Sequence, residues 1–446
     1  MEKVDELNQV QNVKKRRVFY IPGYDPIHPR RYRELYRKEG TEQARISGYN
    51  IDLKPKTGEG PYGWHASSQI DGKRTDAQVD VLVWSDIVRD SMSNTIPATY
   101  MQLLRTAFTY ISTRALFNLM RLRKGPIIAA LYPIGMLLLQ LLVALVAGSF
   151  VSKLVVWGLA ALMGVTLFVV IDFLNLGQWV NQWPMTLQTL LFYGVTGVGL
   201  ILYFGVWAAV TTYILRWFQA KDGKFFAYYL MHDFAYTARW MGENPPALED
   251  RMSEFGEEIA QALTEDVDEV LVVGHSSGAH LSVSILADLI RAGRVPDAGP
   301  KLAFLSLGQV VPMVSFLPKA DRLRRDLHDL SASEALTWVD ITAPGDGCAF
   351  ALCDPVSVSG VEPKNKKWPL VFSTAFTQTL SPERWKELRW RFFRLHFQYL
   401  CAFDRPQHYD YFQITAGPIS LNDRYRNRRQ SHSRIDVAAS GYTSML

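Results

Sequence analysis

The residue types best suited to chemistry lie in one pentapeptide, the GHSSG of residues 274–278, which is a G-x-S-x-G pattern. A β-branched run at 270–273 precedes it and predicts a strand. Apolar residues recur at helical spacing over 279–291 and predict a helix that stops near Gly293. A tight strand-to-helix turn strains its serine and lifts the hydroxyl above the sheet edge, beside a helix N-terminus. The pattern therefore predicts that Ser276 is a nucleophile.

The composition limits the classes of protein to consider. The chain has 446 residues, of which 48% are hydrophobic, and a formal net charge of +5. This length allows two or three domains. The polar N-terminus is not a secretory signal, and no nucleic-acid-binding motif accompanies the arginines, so we expect no nucleic-acid partner. The three cysteines, Cys348, Cys353 and Cys401, lack metal-ligand spacing and suit reduced thiols facing the cytosol.

Three long stretches in the middle of the chain are almost free of charge: residues 125–152, 154–171 and 189–215. A helix needs about 20 apolar residues to cross the hydrocarbon core of a bilayer. Each stretch is therefore a candidate membrane span, and the lipid bilayer is an expected partner.

The charges that flank this region predict its orientation. Basic residues occur on both sides of it: Arg105, Arg114, Arg121, Arg123 and Lys124 before, and Arg216, Lys221 and Lys224 after. The loop 172–187 has no Lys or Arg, and it contains Trp179 and Trp183, which fit an interfacial belt. The positive-inside rule places both flanks in the cytoplasm and this loop outside.

The number of crossings is constrained by the sheet. If the chain on both sides of the apolar region builds one sheet, the number of crossings must be even, yet there are three stretches. Either the first two make a single net crossing, one being re-entrant or interfacial, or a fourth span exists. The segment 101–124 is amphipathic with several arginines and is better interpreted as an in-plane interfacial helix than as a span.

Strand and helix patterns alternate outside the apolar region. The predicted strands are residues 17–24, 79–84, 270–273, 302–307, 336–343 and 370–376. Helical patterns cover 29–40 and 246–265. This alternation predicts an α/β domain with a mostly parallel sheet flanked by helices, and the helical transmembrane insertion interrupts that domain.

The order of a strand ending in Pro22-Gly23, the serine turn at 274–278, a later acid and then a histidine resembles the α/β-hydrolase superfamily, with its lipase and esterase branches closest. The resemblance covers residues 16–100 and 245–415, and the turn is its one specific motif. The apolar insertion departs from the family pattern, as does Pro22-Gly23-Tyr24 where such chains often have His-Gly.

The resemblance implies partners for Ser276 in the chain order Ser, Asp or Glu, His. Asp346 follows a predicted strand across a Pro-Gly turn and is the first candidate for the acid, with Asp354 as the alternative. His396 is the first candidate for the base, with His408 as the alternative.

The resemblance also implies an oxyanion hole made of backbone N–H groups. These would come from Ser277, at the helix N-terminus, and from Gly23 or Tyr24. His275 and His280 flank the nucleophile and are interpreted as packing residues. No metal and no organic cofactor is implied.

The expected organisation has six parts. They are a polar N-terminal segment (1–15), the first part of the hydrolase domain (16–100), an interfacial helix (101–124), the transmembrane insertion (125–216), the second part of the hydrolase domain (217–423) and a flexible basic tail (424–446).

Together these features predict a multi-pass membrane-anchored serine hydrolase with its catalytic domain and both termini in the cytoplasm. It would cleave ester or thioester bonds of apolar acyl substrates through Ser276, His396 and Asp346. An acyltransferase that uses the same triad and a non-catalytic membrane scaffold that keeps the fold remain the alternatives.

Overall fold

The computed structural model describes residues 12–92, 95–174 and 183–446. Most of the polar N-terminal segment, residues 1–11, and Trp179 of the interfacial pair lie outside these ranges. The chain forms two compact units. The first comprises residues 12–92, 102–130 and 232–446, and the second comprises 95–101 and the described residues of 131–231.

The first unit is built on one eight-stranded sheet with the strand order β2-β3-β4-β1-β5-β6-β7-β8. Its strands are β1 Lys15–Ile21, β2 Asn50–Pro55, β3 Gly63–Ile70, β4 Lys73–Val81, β5 Glu269–His275, β6 Lys301–Leu307, β7 Leu336–Thr342 and β8 Leu370–Ser373. Neighbouring strands from β4 through β1, β5, β6 and β7 to β8 pair in parallel. β3 pairs antiparallel with both of its neighbours, β2 and β4. The prediction of a mixed α/β fold with a mostly parallel sheet is confirmed.

Helices connect successive strands, except between β2 and β3 and between β3 and β4. In chain order they are α1 Arg30–Ser47, α2 Ser85–Ser91, α3 Ile96–Ser112, α4 Ala115–Met120, α5 Lys124–Phe173, α6 Met185–Ala220, α7 Asp222–Phe225, α8 Ala227–Arg239, α9 Pro246–Ala262, α10 Gly278–Arg291, α11 Val311–Ser315, α12 Asp321–Ala332, α13 Pro355–Val358, α14 Phe376–Thr379, α15 Pro382–Leu388, α16 Phe392–His396, α17 Tyr411–Ala416 and α18 Leu421–Tyr425.

The antiparallel strands β2 and β3 were not predicted. The strand β2, NIDLKP, lies at the sheet edge with every residue at least partly exposed, and β3, GWHASSQI, alternates buried and exposed positions. An edge strand needs little apolar sequence, because one of its sides pairs with nothing. Four strands therefore precede the apolar region, where the sequence indicated two.

The centre of the sheet is the best-buried part of this unit. Every residue of β5 is buried, as expected for a parallel strand with both faces covered. On one face, aromatic side chains form the core with the strands, among them Tyr36, Trp64, Tyr399 and Phe412. The next helix, α10, is itself buried along most of its length. The turn at residues 275–278 is therefore held between two rigid elements.

The apolar region contains two helices long and apolar enough to cross a membrane, α5 and α6. The first two apolar stretches are not separate, because the 50-residue α5 runs through both of them, including Lys153. At a rise of 1.5 Å per residue, α5 is about 75 Å long, more than twice the thickness of a bilayer core of about 30 Å.

Within the second unit, α5 and α6 pack closely along part of their length. The Trp207 indole donates to the Leu145 carbonyl oxygen at 3.2 Å, and the Thr211 hydroxyl donates to the Ala144 carbonyl oxygen at 3.3 Å. Ser149 and Tyr203 share a hydrogen bond of 2.8 Å. Polar contacts between helices of this kind are common where no water competes for them.

The segment predicted as one interfacial helix consists of two helices. It breaks between α3 and α4 at Arg114, whose φ of +59° is left-handed. The outer side of both helices carries exposed apolar side chains: Leu104, Phe108, Ile111, Phe117 and Met120. We call these five residues the apolar stripe. On the inner side, Leu103 and Tyr110 are buried, and the Tyr110 hydroxyl donates to the Met313 carbonyl oxygen at 3.1 Å.

The segment 424–446, expected to be a flexible tail, differs from that expectation because it follows the surface of the first unit through hydrogen bonds. The Ser431 N–H donates to the Val371 carbonyl oxygen at 2.9 Å, and Ile435 forms a bridge with Cys353. Nearer the end, the Arg324 side chain donates to the Ser444 carbonyl oxygen at 2.6 Å. Its polar composition hid these contacts, because most of them use backbone groups that every residue carries.

Candidate functional site

Three parallel strands end at the same edge of the sheet and deliver the candidate residues there. β1 leads into Pro22-Gly23, β5 leads into Ser276, and β7 leads through a short turn to Asp346. The carboxyl ends of parallel strands form the usual site of chemistry in α/β folds. The sequence analysis likewise expected Gly23, Ser276 and Asp346 to follow the ends of strands.

Ser276 has a φ of +57°, in the left-handed region that side chains other than glycine rarely adopt. The strain is maintained by close contact between the turn and β1. A Cβ atom on Gly278 would lie 2.1 Å from the Ile21 carbonyl oxygen, and one on Gly23 would lie 2.9 Å from the Ser276 Cβ. Only glycine permits either approach. A strained serine that is partly exposed at a strand–helix turn is the geometry expected of a nucleophile.

His396 and Asp346 form a buried hydrogen-bonded pair. The His396 Nδ1 donates to the Asp346 Oδ2 at 2.8 Å. The same carboxylate accepts the Tyr399 hydroxyl at 3.0 Å and the Cys348 N–H at 2.9 Å. Burial alone would raise the pKa of Asp346, but His396 and these donors lower it below its usual value. Asp346 therefore stays ionised and fixes the His396 tautomer that carries its proton on Nδ1, which leaves Nε2 as the basic nitrogen.

The pair lies beside the residue that precedes the serine. The His275 Nε2 donates to the His396 carbonyl oxygen at 3.0 Å, and the two imidazole centroids are 4.8 Å apart. Burial, followed by the charge of His396, lowers the pKa of His275 to about 3, so this ring is neutral. Within the described ranges the Ser276 hydroxyl forms no hydrogen bond with His396. Such bonds are often long before substrate binds.

The loop after β1 is positioned by aromatic side chains. The Trp84 indole donates to the Pro22 carbonyl oxygen at 2.9 Å, and its ring lies 6.1 Å from that of Tyr24. The Tyr24 hydroxyl shares a 2.7 Å hydrogen bond with Ser91. These contacts hold Gly23 against Ser276, while Ser277 occupies the N-cap position of α10 without a side-chain hydrogen bond to the helix. Of the three residues expected to bind an oxyanion, Gly23 and Ser277 therefore lie directly beside the serine, and Tyr24 follows Gly23 in the chain.

The alternative acid and base have other surroundings. The Asp354 carboxylate caps α13, accepting the N–H groups of Val356 and Ser357, and pairs with Lys366 at 2.5 Å. His408 is exposed and lines a separate cavity, together with Asp410, Arg424 and Arg428 among others. The structure therefore joins Asp346 to His396 and does not bring Asp354 or His408 to the pair. His280 is buried, and burial lowers its pKa to about 4, as suits a packing residue.

Sequence reasoning missed several residues around the pair. Tyr399 and Trp84 contact the candidate residues from distant parts of the chain, and no motif marks them. Asp233, on α8, is partly buried. Burial raises its pKa to about 7, and the charge of His396 opposes that rise. Three residues further on, the Tyr236 ring lies 5.7 Å from Tyr24. A single aspartate in an amphipathic helix carries no signal by which the sequence could have identified it.

The same residues include a possible metal-ligand set. Asp346, Cys348 and His396 each offer one ligand atom, and these atoms lie within 4.8 Å of one another. A metal ion would have to displace the hydrogen bond between His396 and Asp346. It would also have to ionise Cys348, whose thiol pKa is raised by burial and then by the charge of Asp346. The donor set as arranged fits a hydrogen-bonded acid–base pair better than a metal centre.

The arrangement can support a nucleophilic serine, a histidine base oriented by a carboxylate, and backbone donors for a developing oxyanion. Comparison of the chain with protein-family models, curated proteins and solved structures finds no match.

Proposed function

We propose that the protein is a serine hydrolase of the α/β-hydrolase kind, which cleaves ester or thioester bonds of apolar acyl substrates. Ser276 attacks the carbonyl carbon, and His396 accepts the serine proton and returns it to the leaving group. Asp346 stabilises the imidazolium that forms in between. The N–H groups of Ser277 and of Gly23 or Tyr24 donate to the oxyanion.

One observation carries the proposal: a serine in a left-handed turn lies at the sheet edge where a buried histidine donates Nδ1–H to a buried carboxylate. Each feature has ordinary structural explanations by itself. Their occurrence together, at the ends of β5 and β7, favours nucleophilic catalysis over a non-catalytic scaffold, because a scaffold needs neither the strain nor the pair.

We propose further that α5 and α6 cross the membrane and that the sheet lies on the cytoplasmic side. Basic residues flank both ends of the helical region, as the positive-inside rule requires of cytoplasmic segments. The two halves of one sheet flank the same region, so an even number of crossings is needed, and two helices provide it. An enzyme held at a bilayer meets apolar acyl chains at high local concentration, which is the argument for lipid substrates.

Labelling with a fluorophosphonate, which reacts with activated serines, tests the proposal. The full-length protein in detergent is expected to be labelled, and Ser276→Ala is expected to lose the label. Ser277→Ala is the matched control, because its backbone N–H is unchanged. Equal labelling of wild type and Ser276→Ala would remove Ser276 from the mechanism, and an unlabelled wild type would favour the scaffold.

The two histidines can be separated in the same assay. His396→Ala should lower the labelling rate by several orders of magnitude, as loss of a triad base does elsewhere. His408→Ala should label at the wild-type rate, since it lies in a different cavity. The reverse result would assign the base to His408. Whether water or another acceptor completes the reaction is decided by adding alcohols and thiols and analysing the acyl products.

A further inference from the structure

A cavity of about 670 Å³ lies between two segments of the first unit, residues 406–413 and 424–428, with Ser47 on its wall. Ser276, Asp346 and His396 do not line it. This volume is in the range of small-molecule sites in proteins. The proposed function makes no use of it.

The cavity wall carries more positive than negative charge, since two arginines and one carboxylate, Asp410, line it. Arg424 and Arg428 both line it. Neither forms an ion pair with any carboxylate of the residues that the structure describes. The carboxylate of Asp410, which lines the cavity, caps α17 by accepting the N–H groups of Phe412 and Gln413 at 3.0 Å. Its side chain also accepts the Tyr49 hydroxyl, at 3.2 Å.

Both guanidinium groups are held in place but incompletely hydrogen-bonded. Arg428 stacks on Phe372, with its guanidinium carbon 3.9 Å from the ring centroid. Arg424 donates to the Gln413 carbonyl oxygen at 3.2 Å and to its side-chain oxygen at 3.5 Å, the limit for such a bond. The Nε of each arginine is buried without an acceptor in the described part of the chain. These two Nε atoms are closed off from the cavity, so a ligand there would contact the terminal nitrogens of the guanidinium groups, and its negative charge would offset the cost of burying the two cations.

We infer that this cavity binds a phosphate group, through the guanidinium groups of Arg424 and Arg428. Guanidinium groups match phosphate oxygens in geometry, and a phosphomonoester carries about −1.5 to −2 charge at neutral pH, close to the charge of the two arginines. His408 is exposed and also lines the cavity, where its imidazole offers a further hydrogen-bonding group. The group can belong to a soluble phosphate compound or to a lipid headgroup. The site is independent of the proposed hydrolase chemistry, which uses none of these residues.

Calorimetric titration of the full-length protein in detergent with inorganic phosphate and with glycerol phosphate tests the inference. Saturable binding to wild type is expected, and Arg428→Gln should weaken it by about tenfold to a hundredfold, the value of hydrogen bonds to charged groups. Arg426→Gln is the matched control, because Arg426 pairs with Asp423 and does not line the cavity. Ser276→Ala should bind as wild type does, whatever its labelling result.

Two results would overturn the inference: no saturable binding by wild type, or equal loss in Arg426→Gln and Arg428→Gln. The Arg428 side chain donates no hydrogen bond within the described ranges, whereas that of Arg424 donates to Gln413, so substitution of Arg428 is the less disruptive to folding. A thermal unfolding midpoint checks each variant. Vesicles containing phosphatidate distinguish the two sources of phosphate. Competition by these vesicles that phosphatidylcholine vesicles do not reproduce identifies a lipid headgroup, whereas no competition identifies a soluble ligand.

Discussion

At the scale of single residues, the Asp346 carboxylate is the point where the candidate site is most constrained. It accepts hydrogen bonds from His396, Tyr399 and Cys348. Such donors fix the orientation of the carboxylate, and their removal is expected to lower activity although they do not contact the substrate. The Tyr399 hydroxyl also accepts the Ala343 N–H at 3.0 Å, which ties the carboxylate to the end of β7.

Tyr399→Phe should lower kcat by about tenfold and leave KM nearly unchanged, because it removes one hydrogen bond to a charged group that does not contact substrate. Hydrolysis of a soluble ester measures both constants. Tyr409→Phe is the control, since the Tyr409 hydroxyl donates to the Tyr399 carbonyl oxygen at 2.6 Å without touching Asp346. An equal loss in the two variants would indicate a general packing effect.

Asp340 predicts a pH dependence of stability. It is fully buried, one of its oxygens has no partner in the described ranges, and burial raises its pKa to about 8. In the unfolded chain its pKa is about 4. Between these values the folded protein holds a proton that the unfolded chain releases. The contribution of Asp340 to the free energy of unfolding should therefore fall, by about 1.4 kcal/mol per pH unit, as pH rises from about 4 to 8, whereas the buried His275 and His280 act in the opposite direction below about pH 6.5.

Asp340→Asn should remove this decline, so that the variant gains stability relative to wild type at pH 8 but not at pH 5. Chemical denaturation in detergent at both pH values measures the difference. The exposed Asp250→Asn is the control and should follow the wild type. A wild-type stability that rises between pH 5 and pH 8 in step with the Asp340→Asn variant would contradict the assignment.

The residues of the site divide into those that the sequence predicted and those that it could not predict. Ser276 has a local signal, since the glycines around it are needed by the turn itself. Asp346 and His396 followed from chain order within the resemblance, which left Asp354 and His408 open. Trp84 and Tyr399 act through contacts between distant segments, and one sequence contains no record of which segments meet.

At the scale of elements, the turn between β5 and α10 depends on its close approach to β1. Gly278→Ala would place a Cβ 2.1 Å from the Ile21 carbonyl oxygen, so β1 or the helix must move. We expect a loss of about 3 kcal/mol or more in the free energy of unfolding, at the upper end for an overpacked core.

Gly293→Ala is the matched control, because Gly293 has a φ of +67° but open space around it. Its cost should be about 1 to 2 kcal/mol, that of a left-handed conformation alone. Denaturant titration of both variants gives the comparison. Similar losses would mean that backbone conformation, not the contact with β1, decides the effect.

The apolar stripe on α3 and α4 predicts how the first unit meets a lipid surface. Phe108 is 72% exposed and Leu104 is 62% exposed, while Arg105 and Arg114 lie between the apolar positions. This is the pattern of a helix that lies in a bilayer interface. The double variant Leu104→Ser, Phe108→Ser should reduce turnover of a vesicle-embedded ester by about tenfold, in line with the apolar area withdrawn from water.

Turnover of a soluble ester by this variant should not change, because the stripe faces away from the buried side of α3. Val437→Ser is the control, since Val437 is also 72% exposed but lies in the C-terminal segment. If both esters are affected equally, the stripe supports folding rather than lipid contact.

The elements themselves were predictable where apolar periodicity is strong. The six predicted strands all overlap strands of the sheet, with ends shifted by up to three residues except at β4, which begins six residues before the predicted strand 79–84. The strands β2 and β3 were missed because edge and antiparallel strands tolerate polar sequence. The continuity of α5 was missed because Lys153 was taken as a boundary, although a single lysine does not interrupt helical hydrogen bonding.

At the scale of the whole molecule, the sheet order determines the topology that we propose. β1 lies between β4, which precedes the two long helices, and β5, which follows them. Strands on opposite sides of a membrane cannot pair. Tags at the two termini should therefore be accessible from the same side of sealed vesicles, and a protease site inserted between α5 and α6 should be accessible from the other side.

Protease treatment of oriented vesicles, with and without detergent, measures this arrangement. The uncleaved chain without an inserted site is the control. Termini on opposite sides, or an inserted site cleaved from the same side as both termini, would contradict the proposed pair of crossings.

The position of β1 also has a consequence for synthesis. Arg16 on β1 pairs with Glu269 on β5, 253 residues later in the chain. During translation, both long helices are synthesised after β4, the first neighbour of β1, and before β5, its second neighbour. Until β5 is made, one edge of β1 has no strand to pair with. At this stage the exposed β1 edges of two chains growing on one messenger RNA can pair with each other.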